Sequence, residues 1–203
     1  MSGRGFTGFG FGGRHLREWS VALAYVVLLA VLAVLAPQFF KPDYLRGLLV
    51  AKSTVLIVAV GMTLVIVARQ IDISVGSQFS VCGVIAGLLA KSGWPMPLVA
   101  AGTVAAGAAM GACNGALVSA VGLPSIVVTL ATMAIFRETL RWLREGEFVL
   151  GLPGYFQWFG LGQQAGQWTV ILVTSAFFLA ATWCLRFLAG GRAVYAVGSD
   201  AEA

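Results

Sequence analysis

The chain has 203 residues, of which 59% are hydrophobic and 10% charged, with a mean hydropathy of +0.91. A soluble domain carries nearer a quarter charged residues, so the composition excludes an ordinary soluble fold. It points to an all-α integral membrane protein, a polytopic bundle of about six transmembrane helices. Lys and Arg outnumber Asp and Glu by 13 to 8, but the basic residues lie between apolar segments and form no dense patch. They report membrane topology and give no sign of nucleic-acid binding.

Residues 1–18 form a glycine-rich basic tail with Arg4, Arg14 and Arg17. The apolar run Ser20–Ala36 lacks a small-residue cleavage pattern with a polar flank and is expected to be an uncleaved first transmembrane helix. Trp19 marks one interface, and Phe39, Phe40 and Tyr44 mark the other. A second span is predicted over Leu48–Ala68, near the roughly 20 residues a bilayer requires. A third is predicted from about Ile71 to Ala90, a fourth from Pro97 to Val121, a fifth from Ser125 to about Phe136, short unless Leu140 and Leu143 continue it, and a sixth from Trp168 to Leu188. Gly107, Gly111 and Gly115 recur every fourth position of the fourth span, a face that allows close helix approach. Arg137 to Glu147 is a mixed-charge segment in which Arg141 and Glu145 have the spacing of an i,i+4 pair. The aromatic stretch that follows, up to Gln167, reads as an interfacial loop with a short helix on the membrane surface.

With the N-terminus inside, Arg4, Arg14, Arg17, Arg69, Arg186 and Arg192 face inward. Lys41, Arg46, Lys91, Arg137, Arg141 and Arg144 face outward. The tally is close to even, so the expectation of a cytoplasmic N-terminus rests mainly on the first helix.

Nothing in the sequence has the pattern of a catalytic centre. No carboxylates are paired, His15 is the single histidine and lies in the tail, and the Walker-type phosphate loop is missing. Cys82, Cys113 and Cys184 are isolated in apolar surroundings and read as free thiols. No metal or cofactor is called for. Two features remain. The first is the polar insert from Arg69 to Gly76, which carries the only acid between Asp43 and Glu138. Asp72 and Ser74 have the composition of an N-cap for the third helix. Equally, a bent helix start near the membrane, with Asp72, Ser74 and Gly76, lines a translocation path. Asn114, beside Gly115, is either a packing contact between helices or a member of that path. The second feature is the run from Gly190 to Ala203, read as a polar turn leading into a new short helix capable of docking a partner.

Several motifs occur in order: VGMTLVIV followed by IDISVGS, then NGALV, LPSIVVTLAT and, directly after Gly191, RAVYAVGSD. With them the chain resembles the permease subunit of bacterial sugar ABC importers of the ribose, xylose and galactose group. The stretch RWLREGEF, with the aromatic residues after it, is most similar to the rhamnose and autoinducer-2 branch. The resemblance implies a membrane-spanning permease that moves a monosaccharide-like substrate across the inner membrane. ATP hydrolysis would lie on separate cytoplasmic ATP-binding subunits, so the chain itself would not be an enzyme. It implies a second permease subunit, identical or different, a periplasmic sugar-binding protein and a lipid surround. It divides the chain into a cytoplasmic tail (1–18), a transmembrane domain (19–189) and the start of a cytoplasmic coupling loop (190–203). Gly191, Arg192, Tyr195, Gly198, Asp200 and Glu202 then correspond to the loop that meets the ATPase, while Asp72, Ser74, Gly76, Asn114 and Gly115 carry the membrane-domain signature. Permeases of this kind continue well past that loop, so the 203-residue chain reads as a truncated member that does not transport by itself. Two other readings stand beside this one. An ion-coupled secondary transporter is disfavoured by the lack of mid-helix acids; a non-transporting fragment or assembly protein is opposed only by the motifs.

Overall fold

The computed structural model describes residues 12–199, with side chains from residue 19. Seven helices account for nearly all of this span: α1 (Gly12–Leu35), α2 (Pro42–Val67), α3 (Val75–Lys91), α4 (Met96–Ser119), α5 (Ser125–Arg144), α6 (Gln163–Phe187) and α7 (Ala189–Ser199). Single 3-10 turns occupy Pro37–Phe40 and Gln157–Gly160. By length and composition α2, α4 and α6 are able to cross a membrane, and Trp19–Leu35 and α3 are shorter apolar helices. The chain forms two compact units, Met1–Leu49 and Val50–Ala203.

In the first unit, α1 is apolar and exposed around its circumference, from Trp19 to Leu35. Pro37 opens the 3-10 turn that follows. Phe39 stacks within 5.3 Å of both Phe40 and Tyr44, an aromatic cluster of the kind that marks a membrane interface. Arg46 bonds Asp43 at 2.8 Å.

The second unit is built inside out relative to a soluble domain. Among the described residues its buried side chains are four small or branched apolar ones (Val60, Ala90, Val99, Val128) and six polar ones: Ser53, Ser74, Ser77, Asn114, Thr129 and Thr174. Large apolar side chains face outward instead, as they do when the surround is hydrocarbon. Many hydroxyls are satisfied within their own helix. Thr63, Ser80, Thr103, Ser119, Thr132 and Thr182 each donate to the carbonyl four residues earlier, which removes their need for water.

Helices α3, α4 and α5 contact one another as the centre of this unit. Gly102 and Gly107 of α4 face α3, where a Cβ would lie 3.2 Å from Leu89 and 3.3 Å from the Cys82 sulfur. Gly111 and Gly115 have nothing within 4 Å of that position. The predicted glycine face therefore splits: one end packs on a neighbour and the other borders open space.

Several boundaries differ from the sequence expectation: α1, α2 and α6 start at Gly12, Pro42 and Gln163, ahead of the expected Ser20, Leu48 and Trp168. Helix α3 begins at Val75, not Ile71, because the bonds from Ser74 to the Asp72 carboxylate and from the Ile71 amide to Ser125 hold residues 70–73 out of the helix. Helix α5 runs past Phe136 to Arg144, since Arg, Glu and Leu are good helix formers whatever their charge. It ends where Glu145 and Gly146 turn left-handed (φ 50° and 80°). Glu145 thereby leaves the helical face, and no Arg141–Glu145 ion pair forms among the described residues.

Candidate functional site

The site grows from the end of α2. Arg69 adopts φ 58°; its amide donates to the Ile66 carbonyl (2.9 Å) and the Gln70 amide to the Val65 carbonyl (3.0 Å). This is the Schellman pattern that closes a helix, with an arginine where glycine is more common. The chain then turns toward Asp72.

Asp72 accepts from both ends of Ser74: Oδ1 takes the backbone N–H at 2.8 Å and the hydroxyl at 2.6 Å. Gln78, one turn into α3, donates to Asp72 Oδ2 at 3.4 Å and to Ser74 Oγ at 2.6 Å. Asn114 of α4 donates to the same Ser74 oxygen at 2.9 Å. A serine hydroxyl has one proton and two lone pairs, so Ser74 is fully used. Its proton goes to Asp72, and its lone pairs take Gln78 and Asn114. Ser74 is completely buried and Asn114 is 4% exposed, which makes each of these bonds costly to lose.

This geometry revises the simple cap. Ser74 occupies the N-cap position of α3 but is already helical in backbone (φ −76°, ψ −10°) and makes no side-chain cap bond. A capping serine reaches forward from an extended backbone; this one reaches back to Asp72. The acid satisfies one amide at the helix start and orients the serine.

The insert is also fastened to α5. The Ile71 amide donates to Ser125 Oγ at 3.3 Å, and the Thr129 hydroxyl lies within reach of the Ile71 carbonyl (3.3 Å) and the Ser125 carbonyl (2.8 Å). Gln78, Ser125 and Thr129 are functional candidates that sequence reasoning misses. The available signal is their polarity within apolar helical runs, with Ser125 and Thr129 spaced to share a face of α5.

Beside this network lies a cavity of about 550 Å³, bordered by the end of α2, the insert, α4, α5 and α7. Asp72, Asn114 and Gly115 line it, together with Gln70, Ser119 and Thr129. Asp72 is its only charged lining residue among the described residues. Gly76 is in the first turn of α3, outside the hydrogen-bonded network, with open space where a Cβ would stand. Among the described residues no three His, Cys, Asp or Glu side chains gather as a metal-holding group.

Helix α7 closes the same end. Gly198 lies against the Val67 carbonyl so closely that a Cβ would overlap it, and a guanidinium nitrogen of Arg69 donates to the Ser199 carbonyl at 3.3 Å. At the other end, Gly191 is buried; a Cβ there would stand 2.5 Å from the Cys184 carbonyl and from Leu185. Of the residues expected to meet a partner, the two glycines therefore face this chain's own helices. Arg192 and Tyr195 are exposed, with Arg192 donating to the Phe187 carbonyl at 3.1 Å. Asp200 and Glu202 lie outside the described residues.

Asn114→Ala removes one of the two donors to Ser74 Oγ while Gln78 still occupies the other lone pair, so a loss of only about 0.6–1.7 kcal/mol is expected. Thermal unfolding of the detergent-solubilised protein measures it.

Residues 44–203 match the family described as branched-chain amino acid transport system / permease component. Among curated proteins the chain is similar to the autoinducer 2 import system permease protein LsrC. It is 32% identical to the protein from Shigella flexneri over 190 residues and 33% identical to that from Enterobacter sp. (strain 638) over 188 residues. Each match covers 92% of this chain and 54% of the relative, so the chain spans about half the length of the curated relatives it matches. No solved structure matches. With its apolar helices and a family match that runs from Tyr44 to Ala203, the chain is a multi-pass membrane protein belonging to the branched-chain amino acid transport system / permease component family.

Proposed function

We propose that the chain is the membrane-spanning permease subunit of an ATP-driven importer for a neutral, polyhydroxylated solute of monosaccharide size. The observation that carries this reading is the chemistry of the cavity beside Asp72. Its wall is mostly apolar, Leu64, Val65, Ile71, Val118 and Val197 included, and its polar groups are hydroxyls, amides and one carboxylate, with no Lys or Arg among the described residues. Hydroxyl and amide groups both donate and accept and so suit a ligand made of hydroxyls. An amino acid's ammonium would find Asp72, but its carboxylate would find no cation in the lining, an expensive arrangement away from water. The volume lies within the roughly 300–1,000 Å³ of small-molecule sites. The importing activity named for the LsrC relatives therefore fits this cavity better than the amino-acid wording of the family.

In this reading the chain sits in a bacterial inner membrane with its N-terminus in the cytoplasm. A second permease subunit completes the membrane domain and a periplasmic sugar-binding protein delivers the solute. Cytoplasmic ATP-binding subunits meet α7, with Arg192 and Tyr195 as outward contacts and Gly191 and Gly198 as the seats that hold the helix. Asp72, Ser74, Gln78 and Asn114 fix the wall along which the solute passes.

The test is uptake of labelled ribose, rhamnose, autoinducer-2 and leucine by cells with the chromosomal gene intact or deleted. Loss of one of the first three with leucine uptake unchanged is expected. Loss of leucine uptake alone contradicts the assignment.

A further inference from the structure

A second cavity, of about 430 Å³, lies toward the other end of α5, between α5, α3 and the loop after Arg144. Arg137, Arg141 and Arg144 line it from one face of α5, with Glu147 opposite and Val84, Leu140 and Phe148 among its apolar walls. Residues three and four apart on a helix are neighbours, so like charges in this spacing repel. The repulsion is only partly relieved within the chain. Arg137 bonds Glu138 at 3.1 Å. Arg144 donates to the Phe148 carbonyl at 3.3 Å, but its Nε is buried without a partner. Arg141 has no hydrogen-bond or ion-pair partner among the described residues, and neither does the Glu147 carboxylate. With Arg137 matched, Arg141 and Arg144 face only Glu147 across the lining, while Glu145 lies outside it.

Phe148, in the lining, is 85% exposed, and Trp142 and Leu150, next to lining residues along the chain, are 79% and 73% exposed. An exposed aromatic beside arginines at the end of an apolar helix fits the membrane–water boundary, on the outward face when the N-terminus is cytoplasmic, and a guanidinium pocket there suits a phospholipid's phosphate. An acidic protein surface would match the charge but leave the exposed Phe148 unused.

We propose that this cavity binds the phosphodiester headgroup of one monoanionic phospholipid, held between Arg141 and Arg144, with its acyl chains leaving past the exposed Phe148. Guanidinium groups suit a phosphate because their N–H donors are paired and planar.

The experiment is lipid-dependent thermal stabilisation of the purified full chain in detergent, titrated separately with phosphatidylglycerol, phosphatidylcholine and inorganic phosphate. Stabilisation by phosphatidylglycerol alone is expected. Arg141→Gln, at an exposed position, weakens the apparent affinity by about fivefold, the share of one arginine at an anionic surface. Glu147→Gln shifts it in the opposite direction by removing the opposing charge, a gain that misfolding does not imitate. Equal responses to both lipids, or an unchanged affinity in Arg141→Gln, overturn the proposal. Saturation by inorganic phosphate without a lipid effect makes this a site for a soluble anion. Reduced uptake in Arg141→Gln cells without any lipid preference assigns the arginines to a protein partner; either result also overturns the proposal.

Discussion

Asp72→Ala is expected to destabilise the second unit by about 2–5 kcal/mol, the sum of two buried donors left without an acceptor. The substitution strands the Ser74 amide and hydroxyl, now 2.8 and 2.6 Å from Oδ1, in a residue that no water reaches. It also frees Ser74 Oγ to rotate, which weakens the bonds it accepts from Gln78 and Asn114. Asp72→Asn behaves differently. An amide oxygen retains both short bonds, and only the 3.4 Å contact from Gln78 meets a donor in place of an acceptor, for less than about 1 kcal/mol. The alanine variant is therefore expected to unfold at clearly lower temperature and, in a full-length version of the permease, to lose uptake. The asparagine variant should assemble normally and in that version keep most of the uptake. If the asparagine variant assembles but does not import, the carboxylate's charge itself is used in transport and its role exceeds positioning.

Gly198→Ala is expected to release α7. In an ordinary helix this change is favourable by about 1 kcal/mol. Here the new Cβ falls on the Val67 carbonyl, backbone that is itself fixed by the Schellman closure at Arg69. Overpacking against an unyielding neighbour costs about 1–3 kcal/mol, so the clash wins. Gly190, in the same helix, has nothing within 4 Å of its Cβ position, which makes Gly190→Ala the control. Trypsin cleavage after Arg192 in detergent reads the docking. Gly198→Ala should be cut about tenfold faster than wild type, the population change equivalent to 1.4 kcal/mol, and Gly190→Ala no faster. Equal rates for both variants would show that Gly198 does not hold the helix.

Much of this architecture is legible in the sequence because a bilayer demands long apolar runs, and those runs are visible without knowing their neighbours. Asp72 is equally visible, since it is the only acid between Asp43 and Glu138. What it does is not. Its partner Gln78 and the anchors Ser125 and Thr129 acquire their roles only when α3, α4 and α5 come together around the insert. The glycine face of α4 illustrates the same limit. Spacing identifies Gly107, Gly111 and Gly115 as one stripe, but a stripe looks alike whether a helix or a cavity lies against it, and here both do. The paired glycines of α7 belong to a motif and so read as partner contacts; their close approach to Val67 and Leu185 arises from how the chain folds back on itself. At α5 the reverse holds. Apolar length alone ends the span near Phe136, and backbone propensity carries the helix on to Arg144.

The most direct measurement of the central claim, that the solute passes along the Asp72 wall, is solute protection of a cysteine placed in it. Val118 lines the cavity, and Val118→Cys, with Cys82, Cys113 and Cys184 replaced by alanine, reports access to that wall in membranes from cells carrying the altered gene. Labelling by a small thiol reagent should slow in the presence of the imported monosaccharide-like solute and remain unchanged with leucine. Labelling that no such solute slows, or that leucine slows instead, contradicts the account.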